Sequence, residues 1–215
     1  GDIDAFAQAI GASSYDIKPG QIGNAQAWSL HPLKNIVAWG DGGVVTTNDA
    51  NLAQDVRLLR NHGLEGRDRW ITPGYNSRLS ALQAIVAYHH LQELDSITAR
   101  RRENAAFYDG HLEGLPSIVV PKRDPNIVHP YHLYVIQTNN RGVLLADLRA
   151  RGIEAKIHYP VPLHRQKAIA GMEYVNPPDL PNVERQANRI LSLPIHQHLT
   201  AKQLAYVVET IKRFV

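Results

Sequence analysis

The chain has 215 residues, which is long enough for one large domain or two small ones with a buried core. Its composition, 44% hydrophobic and 20% charged, is typical of globular proteins, and the lack of cysteine excludes disulfides, thiolate chemistry and cysteine-bound zinc. Apolar runs stay well short of the ~20 residues that span a bilayer, and no basic-then-apolar leader is found, so we expect a cytoplasmic protein without membrane contact.

The net charge of +3 raises the question of nucleic-acid binding. The densest basic run, Arg100–Arg102, is followed at once by Glu103. Phe107 and Tyr108 fall on a predicted helix rather than on a platform where bases could stack. The basic run therefore indicates a solvated helix face, and we expect no nucleic-acid partner.

The first half of the chain mixes short helical and β-leaning patterns. Residues 4–11 have helical spacing, whereas "AQAWSL" and "GGVVTT" favour strands. The stretch "NDANLAQDVRLLRNHG" predicts a helix that Asn48 or Asp49 caps and Gly63 ends. From Leu79 to Leu112 the apolar residues keep a period near 3.6, which predicts one long helix.

The second half alternates strand and helix patterns. "SIVVP", "HPYHLYVIQT" and "EAKIHYP" predict strands, and "RGVLLADLRARG" predicts a helix. "TAKQLAYVVETIKRFV" predicts a closing amphipathic helix with Thr200 as its N-cap. This mixture implies an α/β fold or an α+β sandwich, and we expect a boundary near residues 110–116, giving domains 1–112 and 113–215.

Several motifs lack the context that would give them chemistry. Gly40–Gly43 is neither a P-loop nor a dinucleotide fingerprint, so it indicates a turn. No G-x-S-x-G element supports a serine hydrolase. The histidine pairs have no H-E-x-x-H form or companion carboxylate, so we expect no metal site; they are His89 with His90, His129 with His132, and His196 with His198.

Lys34 lies between a proline-bent segment and the glycine cluster, with apolar runs on both sides. A lysine is most often a solvated surface charge. A lysine that reacts as an amine needs a lowered pKa, which desolvation beside apolar walls supplies. The local pattern leaves both interpretations of Lys34 open.

Longer motifs resemble a known family. "SLHPLKN" followed by "GDGGVVTTND", then "LRNHG", "YNSRLSALQA", "HYPVPLH" and "LSLPIH", is similar to the DegT/DnrJ/EryC1/StrS family of sugar aminotransferases over nearly the whole chain. The resemblance implies part of the large domain of a type I transferase that uses pyridoxal 5'-phosphate (PLP), including a bridging helix, followed by a smaller α/β domain of α+β sandwich type. It further implies that Lys34 binds PLP covalently and moves the proton during amino transfer.

The resemblance also implies roles for other residues. Ser29 and Asn76 would bind the cofactor phosphate, and Gln8 would lie near the cofactor ring. Arg78, with His158 and Tyr159, would bind the substrate. Asn76 and Arg78 would reach from one subunit of a homodimer into the active site of its neighbour.

The expected partners are a keto-sugar nucleotide, with a 3-keto group favoured over a 4-keto group, and glutamate or glutamine as the amine donor. Family members have an aspartate three residues before the glutamine, where this chain has Ala5, so Asp4 is the candidate partner of the ring nitrogen. Members are also roughly twice as long, which predicts a truncated aminotransferase. The alternative is a non-catalytic fragment or a regulatory or scaffold relative without PLP chemistry.

Overall fold

The computed structural model describes residues 8–170 and 179–215. Within them the chain forms seven α-helices and eight short strands. The helices are α1 (Ala50–Leu59), α2 (Ala81–Gln92), α3 (Leu94–Leu112), α4 (Arg141–Ala150), α5 (Lys167–Ala170), α6 (Pro181–Ala187) and α7 (Ala201–Phe214). The strands are β1 (Ser13–Ser14), β2 (Ala25–Ser29), β3 (Gly43–Thr47), β4 (Leu64–Glu65), β5 (Arg69–Trp70), β6 (Ile127–Val128), β7 (Tyr134–Gln137) and β8 (Ile190–Leu193).

The described residues divide into two compact units. The first contains the residues up to Arg100 together with Asp124–His132. The second contains Arg101–Arg123 and the residues from Leu133 onward. The chain passes from the first unit to the second within α3. The division into domains 1–112 and 113–215 stays a prediction.

An antiparallel hairpin organises the first unit. Strands β2 and β3 pair from Ala25 opposite Thr47 to Ser29 opposite Gly43, which confirms both predicted strands. The pairing continues beyond the strand ends, because the Leu30 amide donates to the Gly42 carbonyl at 2.8 Å. A Cβ on Gly42 would lie 2.9 Å from the Leu79 side chain, so the glycine permits close packing beneath the bend.

Helix α1 begins and ends as its polar residues predict. The Asp49 carboxylate accepts hydrogen bonds from the amides of Asn51 and Leu52, so Asp49 rather than Asn48 is the N-cap. After the last turn, the Gly63 amide donates to the Leu58 carbonyl at 2.7 Å. Gly63 has a φ of +73°, a left-handed conformation that favours glycine.

The predicted single helix over residues 79–112 is wrong. Ser80 caps α2, and a break at Glu93 separates α2 from α3. Glu93 has φ −98° and ψ 5°, outside the helical region, and its carbonyl accepts from the Ser96 hydroxyl at 2.8 Å. The same carbonyl also accepts from the Ile97 amide at 2.9 Å, so the break is confined to the backbone angles of one residue, which apolar periodicity does not reveal.

A helical pattern is predicted for residues 4–11, of which the structure describes only the last four. Residues 8–11 form turns, while residues 1–7 lie outside the described residues. The core of the unit is instead built from the hairpin end and from α2 and α3. Its buried members are Leu30, Ile36, Ala38, Ala87 and Ile97.

The second unit places two helices beside a short antiparallel sheet. Strands β7 and β8 pair from Tyr134 opposite Leu193 to Gln137 opposite Ile190. The predicted strands "SIVVP" and "EAKIHYP" are reduced to single bridges, at Val119 and at Lys156. Helices α4 and α7 form where predicted, and α7 has the capping box of Thr200 and Gln203.

Helix α7 presents one apolar face to the core of the second unit. Leu204, Val207, Val208 and Ile211 follow helical spacing and are buried. At the start of β7, the Tyr134 hydroxyl donates to Asp109 at 2.7 Å, and the Arg123 guanidinium binds the same carboxylate. This polar cluster joins α3 to β7 within the unit.

The described helices include none that is both long and apolar enough to cross a membrane.

Candidate active site

Lys34 lies on a short turn that begins at the end of β2. The Lys34 amide donates to the His31 carbonyl at 2.9 Å, and the His31 amide donates to Ser29 Oγ at 3.3 Å. Leu33 before the lysine is 66% exposed, whereas Ile36 after it is 3% exposed. The Lys34 side chain is therefore half-buried at the rim of the core of the first unit.

The Ser29 hydroxyl is suited to donate a hydrogen bond. Its oxygen already accepts from the His31 amide, so its own hydrogen is directed elsewhere. A neutral donor next to an amine is a suitable pair for an anionic phosphate group. Ser29 ends β2, and Lys34 follows on the turn whose backbone the Ser29 hydroxyl helps to hold.

Asn76 and Arg78 contact each other and are exposed. Arg78 Nε donates to Asn76 Oδ1 at 3.1 Å. This bond uses the amide oxygen of Asn76 and leaves its NH₂ group available to donate to a ligand. The pair therefore presents an amide donor and a guanidinium, both suited to anionic ligands.

The backbone that carries Asn76 is fixed against the end of α1. The Tyr75 amide donates to the Leu59 carbonyl at 2.6 Å, and the Ser77 amide donates to the Arg60 carbonyl at 2.9 Å. A Cβ on Gly74 would lie 2.2 Å from the Gly63 nitrogen, so the two segments approach closely only because both positions are glycine. Local rigidity at this place orients Asn76.

Gln8 and Asp4 stay predictions. Gln8 is half-buried in a turn of the first unit. Asp4, the candidate partner of the ring nitrogen, lies outside the described residues, as does Ala5.

His158 and Tyr159 belong to the second unit. The Nδ1 atom of His158 lies 2.9 Å from Ser192 Oγ, and the rings of His158 and Tyr159 meet edge to face with centroids 5.5 Å apart. The peptide bond between them is cis. Tyr159 is 56% exposed, so its ring is accessible to a ligand within this unit.

The loop after this pair is fastened by an ionic cluster. Glu184 of α6 accepts from Arg165 Nε at 2.7 Å and lies 3.2 Å from His164 Nε2. The hydrogen bond from Arg165, followed by the contact with His164, lowers the pKa of Glu184. The cluster fixes the turn Leu163–Arg165 relative to α6.

Sequence reasoning did not single out Asn35 or Ser192. Asn35 donates to the Pro130 carbonyl, 95 positions away, and Ser192 contacts His158 across 34 positions. Their neighbours in sequence, a lysine and a buried strand, gave no indication of these contacts. Only a signal linking distant positions could have found them.

The residues of the first unit fit a phosphate-bearing cofactor that binds an amine. Lys34 supplies the amine, and Ser29 and Asn76 supply neutral donors whose oxygens are already engaged. The part of the chain described here contains no group of three or more histidine or acidic residues placed to bind a metal ion.

The mixed α/β architecture is that of part of an aminotransferase. A crystal structure of DesV from S. venezuelae matches 97% of this chain with a TM-score of 0.90 and 40% sequence identity, and the match covers 56% of the DesV chain. The chain belongs to the DegT/DnrJ/EryC1/StrS aminotransferase family, whose sequence profile matches residues 3–212. The resemblance in the sequence motifs is thereby confirmed.

Two relatives show the range of names within the family. A dTDP-3-amino-3,4,6-trideoxy-alpha-D-glucose transaminase of Streptomyces venezuelae is 39% identical over 99% of this chain and 56% of its own length. A pleiotropic regulatory protein of Geobacillus stearothermophilus is also 39% identical, over 99% of this chain and 57% of its own length. The chain thus spans little more than half the length of the curated relatives it matches.

Proposed function

We propose that this chain carries the lysine-bearing part of a PLP-dependent aminotransferase that acts on keto-sugar nucleotides. The observation that carries the proposal is the turn from Ser29 to Lys34, whose hydrogen bonds hold an amine-bearing residue at the rim of the core a few positions after a hydroxyl donor. Membership of the aminotransferase family supports the same conclusion. When bound, PLP acts as an electron sink and carries the amino group.

The residues of the chain would bind the cofactor and move one proton. Ser29 and Asn76 would donate hydrogen bonds to the phosphate, and Gln8 would lie against the ring. Asp4 is proposed beside the ring nitrogen. The Lys34 amine would bind the cofactor and then, once released, hold and return the proton that moves during amino transfer.

A second group of residues would bind the nucleotide sugar. Arg78 offers a guanidinium for an anionic group, and Tyr159 offers an exposed ring. His158 offers an imidazole whose ring is oriented by its contact with Ser192. A 3-keto sugar is favoured, in line with the 3-amino sugar in the name of the S. venezuelae transaminase. Glutamate or glutamine would donate the amine.

We place the complete site in a homodimer, with Asn76 and Arg78 serving the neighbouring subunit. Their exposure on the first unit supports this arrangement, because both side chains are accessible to another chain. A non-catalytic regulatory role is the alternative, and the name of the Geobacillus stearothermophilus relative favours it.

Labelling of the protein with PLP tests the function directly. The chain is incubated with PLP, reduced with borohydride and mapped by mass spectrometry to locate the phosphopyridoxyl group. Selective labelling of Lys34 supports the aminotransferase, with Lys34→Ala as the negative control and Lys18→Ala as the matched variant at an exposed lysine. Label scattered over surface lysines would favour the regulatory alternative.

A further inference from the structure

Asn35, the residue after Lys34, joins the lysine turn to a distant segment of the first unit. Its Nδ2 atom donates to the Pro130 carbonyl at 3.0 Å, and the residue is 3% exposed. A carbonyl can only accept, so the NH₂ group of the amide must face Pro130. The contact therefore has one defined donor and one defined acceptor.

The segment that contains Pro130 is itself held in the first unit. Its strand β6 pairs with β1, with Ser13 opposite Val128. The Tyr15 amide donates to the Asn126 carbonyl at 3.0 Å, and the Tyr131 amide donates to His129 Nδ1 at 2.9 Å. The Pro130 carbonyl is thus an acceptor in a fixed position, and Asn35 is bound to a segment that is itself held in place.

The amide of Asn35 is only partly satisfied. Among the residues that the structure describes, its buried Oδ1 atom has no hydrogen-bond partner. A buried acceptor without a partner is unfavourable, so an apolar residue of similar size would serve better if packing were the sole requirement. An asparagine at this position is explained if its NH₂ group is required as a donor to the Pro130 carbonyl.

We propose that Asn35 is the positioning residue of Lys34, an inference that rests on the proposed function of that lysine. The Lys34 amide is bonded to His31 on one side, and the next residue is bonded to Pro130 on the other. These two bonds fix the backbone from which the Lys34 side chain extends. An amine held in one direction reacts faster with a bound partner, because less orientational freedom is lost.

The test compares Asn35→Asp, which keeps the shape and loses the NH₂ donor, with Asn35→Ala. Asn126→Ala is the matched control, because it removes an asparagine that donates to Asp124 at 3.1 Å in the same segment as Pro130. PLP labelling followed by borohydride gives the ratio of label at Lys34 to label at exposed Lys18. Hydrogen exchange of the Lys34 and Tyr131 amides, measured without PLP, reports the tether itself.

In the wild type we expect label mainly at Lys34. Asn35→Asp and Asn35→Ala are expected to lower the Lys34 to Lys18 ratio about tenfold and to speed exchange at both amides, whereas Asn126→Ala leaves the ratio unchanged. An unchanged ratio and unchanged exchange in a folded Asn35→Asp protein would overturn the positioning role while the proposed function stands. If wild-type Lys34 takes no label, the proposed function fails, and the positioning role fails with it. Hydrogen exchange then shows only whether the bond from Asn35 to the Pro130 carbonyl holds the backbone.

Discussion

The Nδ1 atom of His158 lies 2.9 Å from the hydroxyl of Ser192, which is itself 4% exposed. Ser192 of β8 is fixed against a neighbouring segment, because its amide donates to the Lys156 carbonyl at 2.8 Å. The hydroxyl therefore orients the imidazole from a rigid position. This contact links the core of the second unit to one of the proposed substrate-binding residues.

Removal of the hydroxyl in Ser192→Ala is expected to loosen His158 while the fold is retained. The loss of one hydrogen bond destabilises the protein by about 1 kcal/mol. We expect altered NMR chemical shifts of the His158 ring at a fixed pH, and several-fold weaker binding of a nucleotide sugar. Thr210→Val is the control, because it removes another buried hydroxyl, which donates to the Tyr206 carbonyl at 2.8 Å within α7. Equal effects of the two variants on the His158 ring shifts would contradict the orienting role.

The close approach of Gly63 and Gly74 predicts a strong effect of a single methyl group. Gly74→Ala would place a Cβ 2.2 Å from the Gly63 nitrogen, so backbone must move. We expect a loss of roughly 2–4 kcal/mol in the free energy of unfolding, measured with urea. Gly110→Ala in α3 is the matched control, since nothing lies within 4 Å of its new Cβ. That variant should gain up to ~1 kcal/mol from helix propensity. A Gly74→Ala protein as stable as the wild type would show that the segments do not meet this way.

These glycines and caps show what sequence could predict. Asp49, Gly63 and Thr200 mark helix ends because capping is a local interaction between residues a few positions apart. The break at Glu93 is a departure of one residue from helical backbone angles, and apolar periodicity continues through it. Strand lengths failed for another reason, since a strand exists only where a partner is present to pair with it.

The candidate site likewise contains residues that local motifs predict and a contact between distant positions that they do not. Lys34, Ser29 and the Asn76–Arg78 pair are predicted from motifs, because each motif lies within a few residues, and their roles stay predictions. The contact of Asn35 could not be predicted, since the hydrogen bond that its side chain makes within the described residues reaches a carbonyl 95 positions away. Contacts at that separation are set by the packing of the unit, on which local sequence gives little information.

The cluster of Asp109, Arg123 and Tyr134 predicts a stability effect within the second unit. Asp109 accepts from the Tyr134 hydroxyl at 2.7 Å, and burial together with that bond raises the Tyr134 pKa. Asp109→Ala leaves the tyrosine and guanidinium without this acceptor, so we expect a loss of roughly 2–3 kcal/mol in thermal or urea unfolding. Asp147→Ala, which breaks an i,i+4 surface pair with Arg151, should lose far less, because water screens an exposed pair. Similar losses for the two variants would show that the cluster stabilises the second unit no more than an exposed ion pair does.

Acid is expected to release the turn Leu163–Arg165 from α6. Bonds from Arg165 and His164 lower the pKa of Glu184 below its ordinary value of 4.5. Its contribution is therefore present above pH 4.5 and is lost as the pH falls through the lowered pKa of the folded state. Hydrogen exchange of residues 163–166 should accelerate in that range, and Glu184→Gln should remove this pH dependence. Glu209→Gln, at a surface pair with Lys212, is the control that should leave it intact.

A shared site predicts that two defective variants rescue each other. Asn76→Ala should weaken PLP binding roughly tenfold or more through loss of its proposed hydrogen bond to the phosphate, so that Lys34 is poorly labelled when PLP is limiting. Added Lys34→Ala protein cannot be labelled at position 34, but it supplies an intact Asn76 across the two-fold of a mixed dimer. Label at Lys34 of the Asn76→Ala chains should then rise several-fold. The doubly substituted chain, with Lys34→Ala and Asn76→Ala together, is the matched control and should give no rise. If the Lys34→Ala protein also gives none although mixed dimers are present, Asn76 serves the lysine of its own chain.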